Sequence, residues 1–152
     1  MHLSVIKKLQ FKDQGQAVLI INAPRAYEEV MASFEGNVHK QGELEEGYDF
    51  VQVFGASNDE LQAFAKNAER FVKDNGLFWL CYPKKSSKTY KGSDCSRDTV
   101  MYLLAYEGYE PVRQIAIDED WSALRFRKPE QIKTMKRSFA VTEEGKLRSE
   151  QQ

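Results

Sequence analysis

Two kinds of hydrophobic run alternate along this chain. Residues 17–22, AVLIIN, are almost continuously apolar and rich in β-branched side chains, the pattern of a strand buried on both faces. The stretch that follows, APRAYEEVMASFEG, changes period. Pro24 suits a first helical turn, Tyr27, Val30, Met31 and Phe34 fall on one face, and Gly36 is a stop, so a helix is predicted. Residues 37–48 are polar and broken by Gly42 and Gly47, with one short edge strand expected around Val38. DFVQVF, 49–54, predicts another strand. Ser57 and Glu60 then stand at capping-box spacing before a helix that carries Leu61, Phe64, Ala65, Ala68, Phe71 and Val72 as far as Asn75-Gly76. LFWLCY, 77–82, is apolar at every position and predicts a central parallel strand covered by helices on both sides.

Beyond that strand a lysine- and serine-rich loop, PKKSSKTYKGSD, leads to SRDTVMYLLAYEG. There Ser96 is an N-cap candidate, Val100, Met101, Leu103 and Leu104 form the apolar face, and Gly108 is the stop. PVRQIAI and SALRFR flank DEDW, a hairpin signal. After Pro129, PEQIKTMKR predicts one more short helix, while VTEEGKLRSEQQ has too few apolar residues to pack. Alternating strands and helices imply right-handed crossovers. The expected fold is therefore an α/β, Rossmann-like three-layer sandwich, its mostly parallel sheet closed by an antiparallel hairpin at about 112–127. One domain spans 1–137, with a flexible tail over 138–152.

Composition narrows the function. At 152 residues one core is enough, without disulfide or metal support. The 22 basic and 23 acidic side chains give a net charge of -1, which argues against nucleic acid or an anionic membrane as partner. Lysines at 7, 8 and 12 interrupt the opening MHLSVIKKLQFKDQGQ, which reads as neither signal peptide nor membrane span and points to the cytoplasm. Cys81 and Cys95 form no CxxC and are expected as reduced thiols.

The order of elements from YDFVQVFGASNDELQAFAKNAERFVKDNGLFWLCYPK to the IAIDEDWSALRFR hairpin resembles the second half of a class I methyltransferase core. More closely, the chain resembles an uncharacterised bacterial family of small Rossmann-like domains. The likeness rests on NAP after the first strand, a W-L-x-x-P-K strand end and a D-x-x-W-S-x-L-R hairpin, and covers about residues 5 to 128. Methyltransferases place glycines after the first strand so that backbone can approach an adenosyl cofactor. INAPRAYEE has none, so no cofactor is expected.

Open parallel sheets bind ligands beyond the carboxyl ends of their strands. That edge gathers NAPRAY, GASND and PKKSSK. Its candidate ligand-binding residues are Asn22, Arg25, Ser57, Lys84, Lys85, Ser86, Ser87 and Ser96: cations, hydroxyls, and two helix starts with free N–H groups for an anion. The alternative is that Ser57 and Ser96 are simply caps in wet loops. Cys95 beside Arg97 at a helix start suggests a lowered thiol pKa, but His2 and His39 are remote in sequence, so no catalytic residue is assigned. Glu43, Glu45, Glu46 and Asp49 lie in a glycine-containing connection without histidine partners, and no metal is expected. DEDW fits a turn better than acid/base work. The leading expectation is a non-catalytic or regulatory domain that binds a small anionic ligand or a protein at this edge, with a homodimer also open. The rival is a small methyltransferase-like enzyme acting on a nucleotide-like substrate.

Overall fold

A computed structural model describes residues 2–132, 141–142 and 145–146. One six-stranded sheet organises them: β1 (Val18–Ile21), β2 (Val38–His39), β3 (Tyr48–Phe54), β4 (Val72–Pro83), β5 (Glu110–Ala116) and β6 (Trp121–Arg127), in the order β2-β1-β3-β4-β6-β5. The first four strands run parallel, and β6 is antiparallel to both β4 and β5. This is the mixed Rossmann-like sheet that the alternating runs predict.

Strand alternation sorts the core into two layers. Val18, Ile20, Phe50, Phe54, Trp79 and Cys81 face α1 (His2–Lys8) and α2 (Glu28–Ala32). Leu19, Val51, Val53, Phe78, Leu80 and Tyr82 face α3 (Asn58–Ala68) and α4 (Arg97–Val100). Helix α1 was hidden in the sequence by its lysines. Ile6 and Leu9 are buried while Lys7 and Lys8 point out, and the Trp79 indole N–H donates to the Leu9 carbonyl at 3.1 Å. Within the first layer one polar trio is closed to water. The Tyr27 hydroxyl donates to Gln52 Oε1 at 2.9 Å, and Gln52 Nε2 donates to Cys81 Sγ at 3.3 Å.

Several elements depart from the expected boundaries. The helix predicted to reach Asn75-Gly76 ends at Ala68, and a 3-10 turn, Glu69–Phe71, delivers Val72 directly into β4. Pairing with β3 overrides helical periodicity there: Tyr48 stands opposite Val72 but Phe50 opposite Leu77, so β4 bulges between these pairs, with Asn75 at φ 62. The helix after β1 is a 3-10 turn, Arg25–Tyr27, followed by the five residues of α2. The segment after Ser96 is α-helical only over α4, because Tyr102, Leu103 and Ala105 donate to carbonyls three residues back. Parallel β2 and β3 are joined by residues 40–47 with no helix.

The DEDW turn forms as expected, with the Asp118 carboxylate accepting from the N–H groups of Asp120 and Trp121, both at 2.8 Å. A 3-10 turn, Pro129–Gln131, stands where a short helix was expected, and the rest of that segment, from 133, lies outside the described residues. In the stretch expected as a tail, Val141 and Thr142 are buried at Glu110, whose carboxylate is fully buried. It accepts from the N–H groups of both residues and, at 2.6 Å, from the Thr142 hydroxyl. Among the described residues no helix is long and apolar enough to cross a membrane.

Candidate functional site

The carboxyl ends of β1, β3 and β4 and the β5–β6 turn converge on one edge of the sheet. On the α2 side this edge is filled by tilted and edge-to-face rings: Tyr27 to Phe54 at 4.9 Å, Phe54 to Trp121 at 5.2 Å and Trp121 to Tyr90 at 5.0 Å between centroids. Beside β3 the backbone is pressed against a helix. A Cβ on Gly55 would lie 2.6 Å from the Cα of Leu61, so only glycine lets α3 start this close to the strand end.

On the other side the end of β4 opens into a shallow groove of ≈ 740 Å³. Tyr82, Lys84, Lys85 and Ser86 line it from β4 and its loop, Arg97 from α4, and Gln114 and Ser122 from the hairpin. Among the described residues no carboxylate lines it, and three cations set its potential. The loop is fixed rather than free at this end. Lys84 N–H donates to the Asp120 carbonyl at 2.8 Å, the Ser87 hydroxyl donates to Asp120 Oδ1 at 2.7 Å, and Tyr90 N–H donates to Ser87 Oγ at 3.1 Å. Burial pushes the Tyr82 hydroxyl up to about 12, against the opposing pull of Arg97, so at neutral pH it is a proton donor and not a base.

The eight sequence-derived candidates separate. Lys84, Lys85 and Ser86 line this groove. Ser87 is buried, its hydroxyl occupied by Asp120 and Tyr90. Ser57 and Ser96 are caps, accepting from Glu60 N–H at 3.2 Å and Thr99 N–H at 3.3 Å. Each cap thus takes up one of the N–H groups expected to be free at its helix start. Asn58 N–H is also taken, by Asp94 Oδ1 at 2.9 Å, and the Thr99 hydroxyl donates to Asn58 Oδ1 at 3.0 Å, tying the two starts to each other. Asn22 and Arg25 sit at the end of β1, and β3 lies between β1 and β4. Tyr82 and Arg97, which also line the groove, are not among the eight. Arg97 had a signal, a cation directly after a helix cap, whereas Gln114 and Ser122 arrive only through strand pairing.

Neither cysteine is an activated nucleophile. Cys95 is buried, and desolvation pushes its thiol up, the reverse of the lowering suggested by Arg97 next door; burial pushes Cys81 up as well.

No family model matches the chain, and no curated protein matches it. Solved structures do. A SAM-dependent methyltransferase from Aquifex aeolicus superimposes with a TM-score of 0.57 at 14% identity, over 82% of this chain and 88% of that one. The N-methyltransferase NodS from Bradyrhizobium japonicum WM9 gives 0.53 at 15% identity, over 84% and 85%. The mitomycin 7-O-methyltransferase MmcR gives 0.56 at 10% identity, over 83% of this chain and 54% of that one. The fold is therefore methyltransferase-like. These neighbours correct the expectation of a non-catalytic domain, since the scaffold that it was built on is that of transferases.

Asn22 keeps the left-handed backbone, φ 60, that glycine usually supplies, but its amide spans the gap between the strand ends and donates to the Phe54 carbonyl at 2.9 Å. Pro24 removes one N–H, and the residue after β2, where Rossmann-type sites place an acid for the ribose, is Lys40. These residues do not form the bare-backbone cradle usual after the first strand of such folds, so an adenosyl donor would have to be held by other contacts.

Proposed function

We propose that the chain is a small transferase of methyltransferase-like build that receives an anionic, nucleotide-like acceptor in the basic groove at the end of β4. The observation that carries this reading is the groove itself: Lys84, Lys85 and Arg97 converge, without a carboxylate among the lining residues, at the carboxyl end of a central strand. The likeness to solved methyltransferases supports the transferase half, and the NAP and D-x-x-W-S-x-L-R motifs, which resemble those of the bacterial Rossmann-like family, support a domain of that build.

The roles follow from the side chains. Lys84, Lys85 and Arg97 neutralise and position the anionic group, Ser86 and Ser122 offer hydroxyls, and Tyr82 donates. None of the described groove residues is a carboxylate or a histidine, and Tyr82 stays protonated, so these residues supply no general base. The acceptor atom must therefore be nucleophilic without losing a proton first, as a ring nitrogen is. Calorimetry with S-adenosylmethionine and S-adenosylhomocysteine, together with methyl transfer to a nucleotide panel, tests the reading. Donor binding and turnover, with turnover lost in Lys84→Glu/Lys85→Glu, are expected; no binding of either adenosyl compound at millimolar concentration overturns it.

A further inference from the structure

A second concavity of ≈ 490 Å³ lies on the α3 face of the sheet, away from the basic groove. Its origin is topological. Parallel strands of one sheet are usually joined through a helix that covers it, yet residues 40–47 between β2 and β3 carry none, and beyond the buried Leu19 the α3-facing end of β1, at Ile21, is only half-covered beside α3. Ile21, Phe64 and Phe71 form the floor, each half-buried. The tip of the Phe71 ring abuts the connection: a Cβ on Gly42 would fall 2.1 Å from its Cζ.

The rim is charged in one sense. Lys40, Lys66 and Arg70 surround the apolar floor, no carboxylate lines the concavity, and none of the three makes an ion pair recorded among the described residues. Arg70 is already set in place, its guanidinium 4.7 Å from the Phe71 ring centroid. Gln41 and Asn67 add amides able to pair with the edge of a heterocycle. The volume falls in the range of about 300–1,000 Å³ usual for small-molecule sites.

We infer that this concavity binds a planar aromatic anion of the nucleoside monophosphate kind, its ring on Phe64 and Phe71 and its phosphate against Lys40, Lys66 and Arg70. Stacking on phenylalanine tolerates any base, and lysines at the rim hold phosphate as point charges. Lys40 is where Rossmann-type sites carry a ribose-binding acid, and its charge selects a phosphate over a cationic sulfonium. The site is independent of the transferase reading, which concerns the groove across the sheet edge.

Calorimetry with AMP, adenosine and inorganic phosphate tests it, on the full chain and on Lys40→Glu/Lys66→Glu, whose two substituted positions are exposed. AMP is expected to bind more tightly than adenosine or phosphate, and the double variant to weaken it by about tenfold or more, given that two attractive charges become repulsive. Retained thermal stability of the variant shows that the loss is local. Equal binding of adenosine and AMP, or no AMP binding at millimolar concentration, overturns the inference. So does AMP binding that survives Lys40→Glu/Lys66→Glu but is lost in Lys84→Glu/Lys85→Glu, which assigns the ligand to the other groove. Sedimentation showing a dimer that the Lys40/Lys66 variant dissociates assigns the concavity to a second copy and equally overturns it. Loss of adenosyl-compound binding alone leaves this inference standing and removes only the transferase reading.

Discussion

Removing one member of the buried pair Tyr27–Gln52 should cost more than removing both in proportion. Tyr27 is 2% exposed and Gln52 0%, so no water can replace either partner across their 2.9 Å hydrogen bond. Tyr27→Phe keeps the ring against Phe54 and strips only the donor, leaving Gln52 Oε1 unpaired at a cost of about 1–2 kcal/mol. Gln52→Met keeps the volume, strands the Tyr27 hydroxyl and removes the weak donor to Cys81, for about 1–3 kcal/mol. The double variant leaves no orphan on either side, so it should fall short of the summed losses by about 1–2 kcal/mol. For a domain of this size each kcal/mol moves the melting temperature by about 2–4 °C. Urea unfolding of the four proteins, with equal m-values as the check on two-state behaviour, measures the cycle. Additivity within about 0.5 kcal/mol would refute the reasoning, because it would mean that the trio is not a closed network.

Two further predictions follow from other buried groups. Glu110→Gln turns one of the two acceptor oxygens into a donor, so that with the other kept on the Thr142 N–H and hydroxyl an NH2 faces the Val141 N–H; it should destabilise the fold by about 2–3 kcal/mol, with amide exchange at those two residues accelerating more than in β3 or β4. Burial raises the folded-state pKa of Tyr82 to about 12 and also raises those of Tyr27 and Tyr109, whereas an unfolded tyrosine ionises near about 10. Above about pH 10 the unfolded chain therefore binds fewer protons than the folded one, and each such group should lower stability by about 1.4 kcal/mol per pH unit, for Tyr82 until about pH 12. Urea midpoints that stay level from pH 9 to 11 would contradict this.

What the sequence made legible was whatever depends on local pattern. AVLIIN and DFVQVF appear as strands within a residue at each end, LFWLCY ends within a residue of its strand but starts five residues late, and Ser57 and Ser96 appear as caps, because period and capping chemistry are short-range. What failed depended on partners far along the chain. Phe71 and Val72 continue the helical period, but β3 claims Val72; Arg97 and Ser122 meet only because β6 returns antiparallel to β4. Lys84, Lys85 and Ser86 were found because a loop at the carboxyl end of a central strand is located by the strand alone. Asn22 and Arg25 were placed with them by analogy, and the width of β3 keeps the two groups apart. The half-covered end of β1 beside α3 had no signal beyond the shortness of the connection 40–47.

The loop from Lys84 to Asp94 is pinned at both ends, to Asp120 through Lys84 and Ser87, and to Asn58 through Asp94. This has a kinetic consequence. A segment fastened in this way is a ledge and not a flap, so arrival of a ligand in the basic groove requires only reorientation of lysine and arginine side chains, on a timescale of picoseconds to nanoseconds. Association should then be governed by diffusion and by ionic strength, with no microsecond opening step in front of it.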